Sequence, residues 1–156
     1  WVHTGDIGEF DDEDYLKITD RKKDILVNAG GDNISPTRIE AKLDIEPEIA
    51  QSMLYGDYKN YLVAVIVPDK DFAINWAKEN SKDQIFESIV KDEDFNKTMK
   101  EIVNKVNKNL SVIEQVRKFI LIDHEFTIEN SMMTVSMKVR RFAVKDKYGD
   151  QLEKLY

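Results

Sequence analysis

Tyr61, Leu62, Val63, Ala64, Val65, Ile66 and Val67 form an almost unbroken apolar run. A strand of this composition has no polar face to offer solvent, so it predicts a central place in a sheet. Residues 51–55 read as its partner, joined through Gly56-Asp57-Tyr58-Lys59-Asn60, a connection with hairpin turn chemistry. Phe95, Met99, Ile102, Val103, Val106, Leu110 and Ile113 recur at spacings of three and four, the strongest periodic signal in the chain. They predict a long helix with one face on the core. Phe72 with Trp76, and Ile85 with Ile89, fit two short helices; residues 116–122 read as a third strand, and residues 142–156 as a terminal helical region carrying Leu152 and Leu155. Ser35 as N-cap and Pro36 in the first turn open a helix whose apolar face is Ile39 and Leu43. Residues 7–10 and 15–19, either side of Asp11-Asp12-Glu13-Asp14, predict a small hairpin. Strands and helices alternate without a regular βαβ rhythm, which disfavours a doubly wound sheet. The expected class is α+β: an antiparallel sheet of about three strands flanked by helices, with a β-hairpin at the N-terminal side.

With 156 residues and 42% hydrophobic content, the chain can bury one core. Its net charge of −7 opposes a nucleic acid or membrane partner held by bulk electrostatics, because acidic surfaces repel phosphate. The absence of cysteine excludes disulfides and thiolate metal sites, and His3 and His124 are too far apart in sequence to suggest a zinc cluster. No apolar run approaches the roughly 20 residues of a membrane span. A cytoplasmic location is expected, with at most peripheral contact at the inner membrane. Thr4-Gly5-Asp6 stands before there has been room for a fold, and the first residue is Trp1, so a piece of a larger protein is expected.

Four stretches carry groups suited to chemistry. Asp6 can cap a turn or accept hydrogen bonds from a ribose diol. Asp20-Arg21-Lys22-Lys23-Asp24 is either a solvated connector or a pivot in which Arg21 offers its planar fork to ribose or phosphate oxygens. Gly30-Gly31 is either a simple turn or a place where backbone approaches a ligand closely. Lys138 follows the hydroxyl-bearing segment Thr134-Val135-Ser136-Met137. Most surface lysines are merely solvated, but an ammonium there can stabilise charge developing between a carboxylate and a phosphate. His3 reads as a packing or hydrogen-bonding residue near the Thr4-Gly5-Asp6 turn, and Trp1 and Trp76 as core or fragment-edge aromatics.

Thr4-Gly5-Asp6, the run DRKKDILVNAGGDNISPTRIE over residues 20–40, and the Thr134 to Arg141 segment, in this order, resemble the AMP-forming acyl-CoA synthetases, in particular the long-chain fatty acid branch. The resemblance covers the whole chain. It implies the C-terminal domain of the adenylate-forming superfamily, with residues 1–20 ending the N-terminal domain and leading to a hinge, and residues 21–156 forming the lid. It further implies that Asp6 and Arg21 bind the ribose of ATP or acyl-AMP, that Lys23 or Asp20 is the hinge, that Gly30 and Gly31 face the pantetheine of CoA, and that Lys138 contacts carboxylate and α-phosphate during adenylation. ATP with Mg²⁺, the latter bound mainly by the N-terminal domain, and CoA are the implied co-substrates. The implied partners are that domain and a fatty acid. Alternatives are another acid, a carrier-protein acceptor, or a non-catalytic binding domain of the same fold. The chain departs from the family pattern at three loop positions: Val135 stands for a proline, Met137 for a frequent glycine, and Ser131 for another glycine after Asn130.

Overall fold

The computed structural model describes residues 5–21 and 24–156. Strands β1 (Asp6–Phe10) and β2 (Leu16–Arg21) form the expected hairpin. The Asp11 carboxylate accepts hydrogen bonds from the backbone N–H groups of Glu13 and Tyr15 at 3.0 and 2.9 Å, which makes the acidic cluster a turn. A second two-stranded pair, β3 (Leu26–Val27) with β4 (Asn33–Ile34), was not expected from sequence. Helix α1 (Pro36–Asp44) follows at once, with Ser35 in the N-cap position and Ile39 and Leu43 buried.

The main sheet has the order β5 (Ile49–Tyr55), β6 (Leu62–Pro68), β7 (Val116–Leu121), so the apolar run is central. The α+β class and the three-stranded sheet agree with the sequence reading, but the sheet is mixed rather than antiparallel: β5 and β6 are antiparallel, β6 and β7 parallel. Helices α2 (Lys70–Glu79), α3 (Phe86–Ile89) and α4 (Glu93–Asn107) occupy the connection between β6 and β7. A crossover of this length returns the chain to the starting end of the sheet, where only parallel pairing is available. Side chains of β6 alternate between two cores. Leu62, Ala64 and Ile66 pack with α1, α2 and α4, while Val63, Val65 and Val67 pack with Met132, Val144, Tyr148 and Leu152. The last three belong to helix α5 (Arg141–Glu153). Burial on both faces is why this strand carries no polar side chain.

Asp69 and Asp92 cap α2 and α4, accepting from the N–H of Phe72 and of Asp94 and Phe95 respectively. Helix α4 ends at Asn107, earlier than the periodicity implied, and Ile113 is half-exposed on a short 3-10 turn, Val112–Glu114. The Asn107 side chain explains the stop. Its amide donates to the Val116 carbonyl at 2.8 Å and its carbonyl accepts from the Val116 N–H at 2.9 Å, so it captures the first residue of β7 in place of a further helical turn. Ile85 likewise stands outside its expected helix as the exposed N-cap of α3. Trp76 packs edge-on against Phe95, with ring centroids 5.0 Å apart.

Beside this core, the Ser52 hydroxyl donates to Asp44 at 2.7 Å. Burial of the carboxyl group raises the Asp44 pKa to about 6; the Ser52 hydrogen bond opposes the rise and the Glu40 carboxylate adds to it. A raised carboxyl pKa stabilises the fold below the ordinary value of 3.8, and that contribution is lost as pH rises through 6. Asp44→Asn is therefore expected to stabilise the chain above pH 6 by on the order of 1 kcal/mol, discounted because the residue as a whole is exposed to solvent. Urea unfolding at pH 4 and pH 7.5 checks this: the gain should appear at the higher pH and vanish at the lower.

Candidate functional site

The hairpin register sets Asp6 directly opposite Arg21, and Ile7 opposite Asp20, with an irregularity between Ile7 and Gly8. Opposed residues of an antiparallel pair are nearest neighbours. Two of the sequence-derived candidates, fifteen residues apart, are thus adjacent in space. Lys23, Lys22, Thr4, His3 and Trp1 lie outside the described residues.

Gly30 and Gly31 lie in the tip that joins β3 to β4. Asn28 organises that tip: its carbonyl oxygen accepts from the Asp32 N–H at 2.9 Å, its amide donates to the Asp32 carboxylate at 2.9 Å, and its backbone carbonyl accepts from the Gly31 N–H at 3.0 Å. Gly31 has φ +87°, a conformation in which a side chain is strained, yet a Cβ there would meet nothing within 4 Å. The backbone at Gly31 therefore faces open space. Gly30 is a turn residue with ordinary φ. The tip rests on the β5–β6 turn, where Asp57 accepts from the Val27 N–H at 3.0 Å and the Lys59 carbonyl accepts from the Ala29 N–H at 3.0 Å.

Lys138 sits on a small closed loop ahead of α5. The Lys138 carbonyl accepts from the Thr134 N–H at 2.9 Å, and the Thr134 hydroxyl accepts from the Lys138 N–H at 3.1 Å; Met133 and Val139 form an isolated bridge below. The Thr134 and Ser136 hydroxyls are 3.0 Å apart. Further down, the Met132 carbonyl accepts from the Arg140 N–H at 2.7 Å, and the buried Met132 and Val144 anchor both ends in the second core. Asn130 shapes the approach, accepting from Thr127 and Met132 N–H groups and donating to the Glu125 carbonyl. Lys138 is exposed, and among the described residues its ammonium has no ion-pair or hydrogen-bond partner. A cation held on a backbone this well tied is available to an incoming anion.

The two loop positions that depart from the glycines of the resembled family have a conformational meaning. Met137 has φ +60° and Ser131 φ +62°, the left-handed region that glycine adopts freely and other residues enter at about 1–2 kcal/mol. Met137 is exposed, so little packing offsets the strain. Met137→Gly is expected to stabilise the chain by about 0.5–1 kcal/mol, the relief being partly cancelled by the greater freedom of glycine in the unfolded state. Thermal unfolding of the two proteins checks this, and an unchanged or lower midpoint would contradict it.

Sequence reasoning missed the pair that ties this loop to the rest. Glu40, on α1 and only 8% exposed, receives both terminal nitrogens of Arg141, at 2.6 and 2.5 Å, and also the Leu54 N–H at 2.7 Å. The available signal was phase: Pro36, Ile39, Glu40 and Leu43 share one buried helical face, so Glu40 is a carboxylate on an apolar stripe. No hydrogen bond or ion pair among the described residues joins the Lys138 loop directly to the Gly30-Gly31 tip. Two indirect routes link them: α1, through Glu40 and Arg141, and the β5–β6 turn, where the Lys59 ammonium donates to Glu153 of α5 at 2.6 Å.

Comparison with known proteins adds to this geometry. Residues 23–156 match the family model described as AMP-binding enzyme C-terminal domain. Long-chain-fatty-acid–CoA ligase FadD15 of Mycobacterium tuberculosis is 34% identical across all of this chain, which covers 26% of that protein. Among solved structures, the adenylation domain of a carboxylate reductase from Mycobacterium chelonae superposes with a TM-score of 0.82 at 28% identity, over 98% of this chain and 22% of that one. The A-PCP didomain of a carboxylic acid reductase from Segniliparus rugosus, in complex with AMP, superposes with a TM-score of 0.68 at 28% identity, over 98% of this chain and 20% of that one. The chain spans about a quarter of the length of the curated relatives it matches.

Proposed function

Because this chain belongs to the family of AMP-binding enzyme C-terminal domains, we propose that it is the mobile lid of a long-chain fatty acid–CoA ligase. The observation that carries the reading is the 34% identity to a long-chain-fatty-acid–CoA ligase along the entire chain. In the first half-reaction a fatty acid carboxylate oxygen attacks the α-phosphorus of ATP and pyrophosphate leaves. Lys138 lies between carboxylate and phosphate, and its ammonium stabilises the charge that builds up there without giving up a proton. The rigid loop beneath it means that little reorganisation is needed once the domain has docked. Asp6 and Arg21, opposed in the hairpin register, hold the ribose hydroxyls.

In the second half-reaction the domain turns about Lys23 or Asp20 and the CoA thiol sulfur attacks the acyl carbon, releasing AMP. The open backbone at Gly31 lets pantetheine pass where a side chain would obstruct it. Residues 1–20 complete the N-terminal domain, which carries the remaining pockets, so the fragment alone is inactive. Mg²⁺ accompanies ATP and is held mainly by that domain.

A second reading has the same first step and a carrier-protein thiol as acceptor, favoured by the similarity to carboxylate reductase adenylation domains. The net charge of −7 weighs against an acidic carrier. The test uses the full-length protein: fatty-acid-dependent exchange of pyrophosphate into ATP, then transfer to CoA or to a phosphopantetheinylated carrier. Exchange followed by acyl-CoA is expected. Transfer to the carrier alone would select the second reading, and absence of exchange with any acid would leave a non-catalytic binding domain.

A further inference from the structure

Glu40 and Arg141 lie 101 positions apart and form a fork-to-fork pair, with Arg141 25% exposed and Glu40 nearly buried. Their places are what matter. Arg141 is the first residue of α5, three positions after Lys138, and Glu40 is in α1, which begins two residues after β4 of the Gly30-Gly31 tip. Arginine is poorly suited to its own position. A cation in the first turn of a helix opposes the helix dipole, that turn contains no acidic residue, and the preceding residue Arg140 supplies no side-chain cap. What Arg141 gains is the Glu40 carboxylate, which also accepts from the Leu54 N–H of β5. The carboxylate is thus fixed to the sheet, and the planar guanidinium fixes the base of the Lys138 loop to the carboxylate in both distance and orientation.

We infer that Glu40 and Arg141 are positioning residues for adenylation: the pair sets where the Lys138 ammonium stands relative to the body of the domain. This rests on the proposed role of Lys138. Arg141 touches no reacting atom. Its effect is on the alignment of a charge that acts only in the transition state, where small displacements are amplified in rate. The second half-reaction relies on the Gly31 tip, which is held by Asn28, Asp57 and Lys59, and does not need the pair.

The test compares the full-length protein with Glu40→Gln/Arg141→Met, which removes both charges, keeps an acceptor for the Leu54 N–H and leaves no unpaired buried ion. Expected are a melting temperature within a few degrees of the parent, transfer of supplied acyl-adenylate to CoA within about threefold, and an adenylation kcat lowered about thirtyfold with little change in the KM for ATP. A folded variant that adenylates within threefold of the parent would overturn the inference, as would equal losses in both half-reactions. Should the double variant fail to fold, Arg141→Lys keeps the charge and loses the fork; the same split is expected of it, and its absence overturns the inference equally. Lys138→Ala is run in parallel. If that variant adenylates normally, the role of Lys138 is at fault, and any loss in the pair variant then has another cause.

Discussion

Lys138→Ala in the full-length protein is expected to lower fatty acid adenylation by about 10²–10³-fold, the range found when one preorganised donor to a developing charge is removed. The expectation follows from the loop. Its backbone is closed by hydrogen bonds between Thr134 and Lys138 and pinned at Met132 and Arg140, so truncating an exposed side chain at its tip should leave the fold intact. Adenylation kcat should fall and the melting temperature should not. Lys138→Arg should recover little, since a planar, delocalised fork places its charge elsewhere than a compact ammonium does. Single-turnover formation of acyl-AMP measures the effect, and a loss below tenfold would remove Lys138 from the reacting centre.

The largest expected effect on stability comes from Glu40→Ala, about 3 kcal/mol. The change removes the partner of a mostly buried guanidinium and the acceptor of the Leu54 N–H together, and breaking one side of a buried ion pair ordinarily costs about 3–5 kcal/mol. The lower end applies because Arg141 keeps some contact with solvent. Urea unfolding of the 156-residue chain checks the value. The double replacement Glu40→Gln/Arg141→Met should be markedly more stable than Glu40→Ala although it changes more atoms, since it leaves no charge stranded.

Much of the fold is local in origin and could be read as such. The apolar β6, the Pro36 start of α1 and the three-and-four spacing of α4 each follow from nearest-neighbour chemistry. The parallel pairing of β6 with β7 does not, because it is decided by how three intervening helices return the chain. The early end of α4 was hidden for a similar reason: the Asn107 side chain answers to Val116, nine positions on. Lys138 is a candidate only through resemblance to a family, since no periodicity distinguishes it from other exposed lysines. The opposition of Asp6 and Arg21 required the hairpin register. Glu40 and Arg141 were passed over because one looks like a helix surface charge and the other ends a basic run; only the tertiary fold makes them a pair. The left-handed φ at Met137 and Ser131 gives the missing glycines a physical meaning that sequence alone expressed only as a departure from pattern.

In the proposed function one domain serves two steps through two separate loops. This division is tested most directly by measuring both half-reactions, acyl-AMP formation and transfer of supplied acyl-adenylate to CoA, in the full-length protein carrying either Lys138→Ala or Gly31→Trp. Opposite losses are expected: the first variant fails at adenylation and retains transfer, and the second adenylates but transfers poorly, because an indole then fills the open space at Gly31. Loss of the same step in both variants, or of neither step in either, would contradict it.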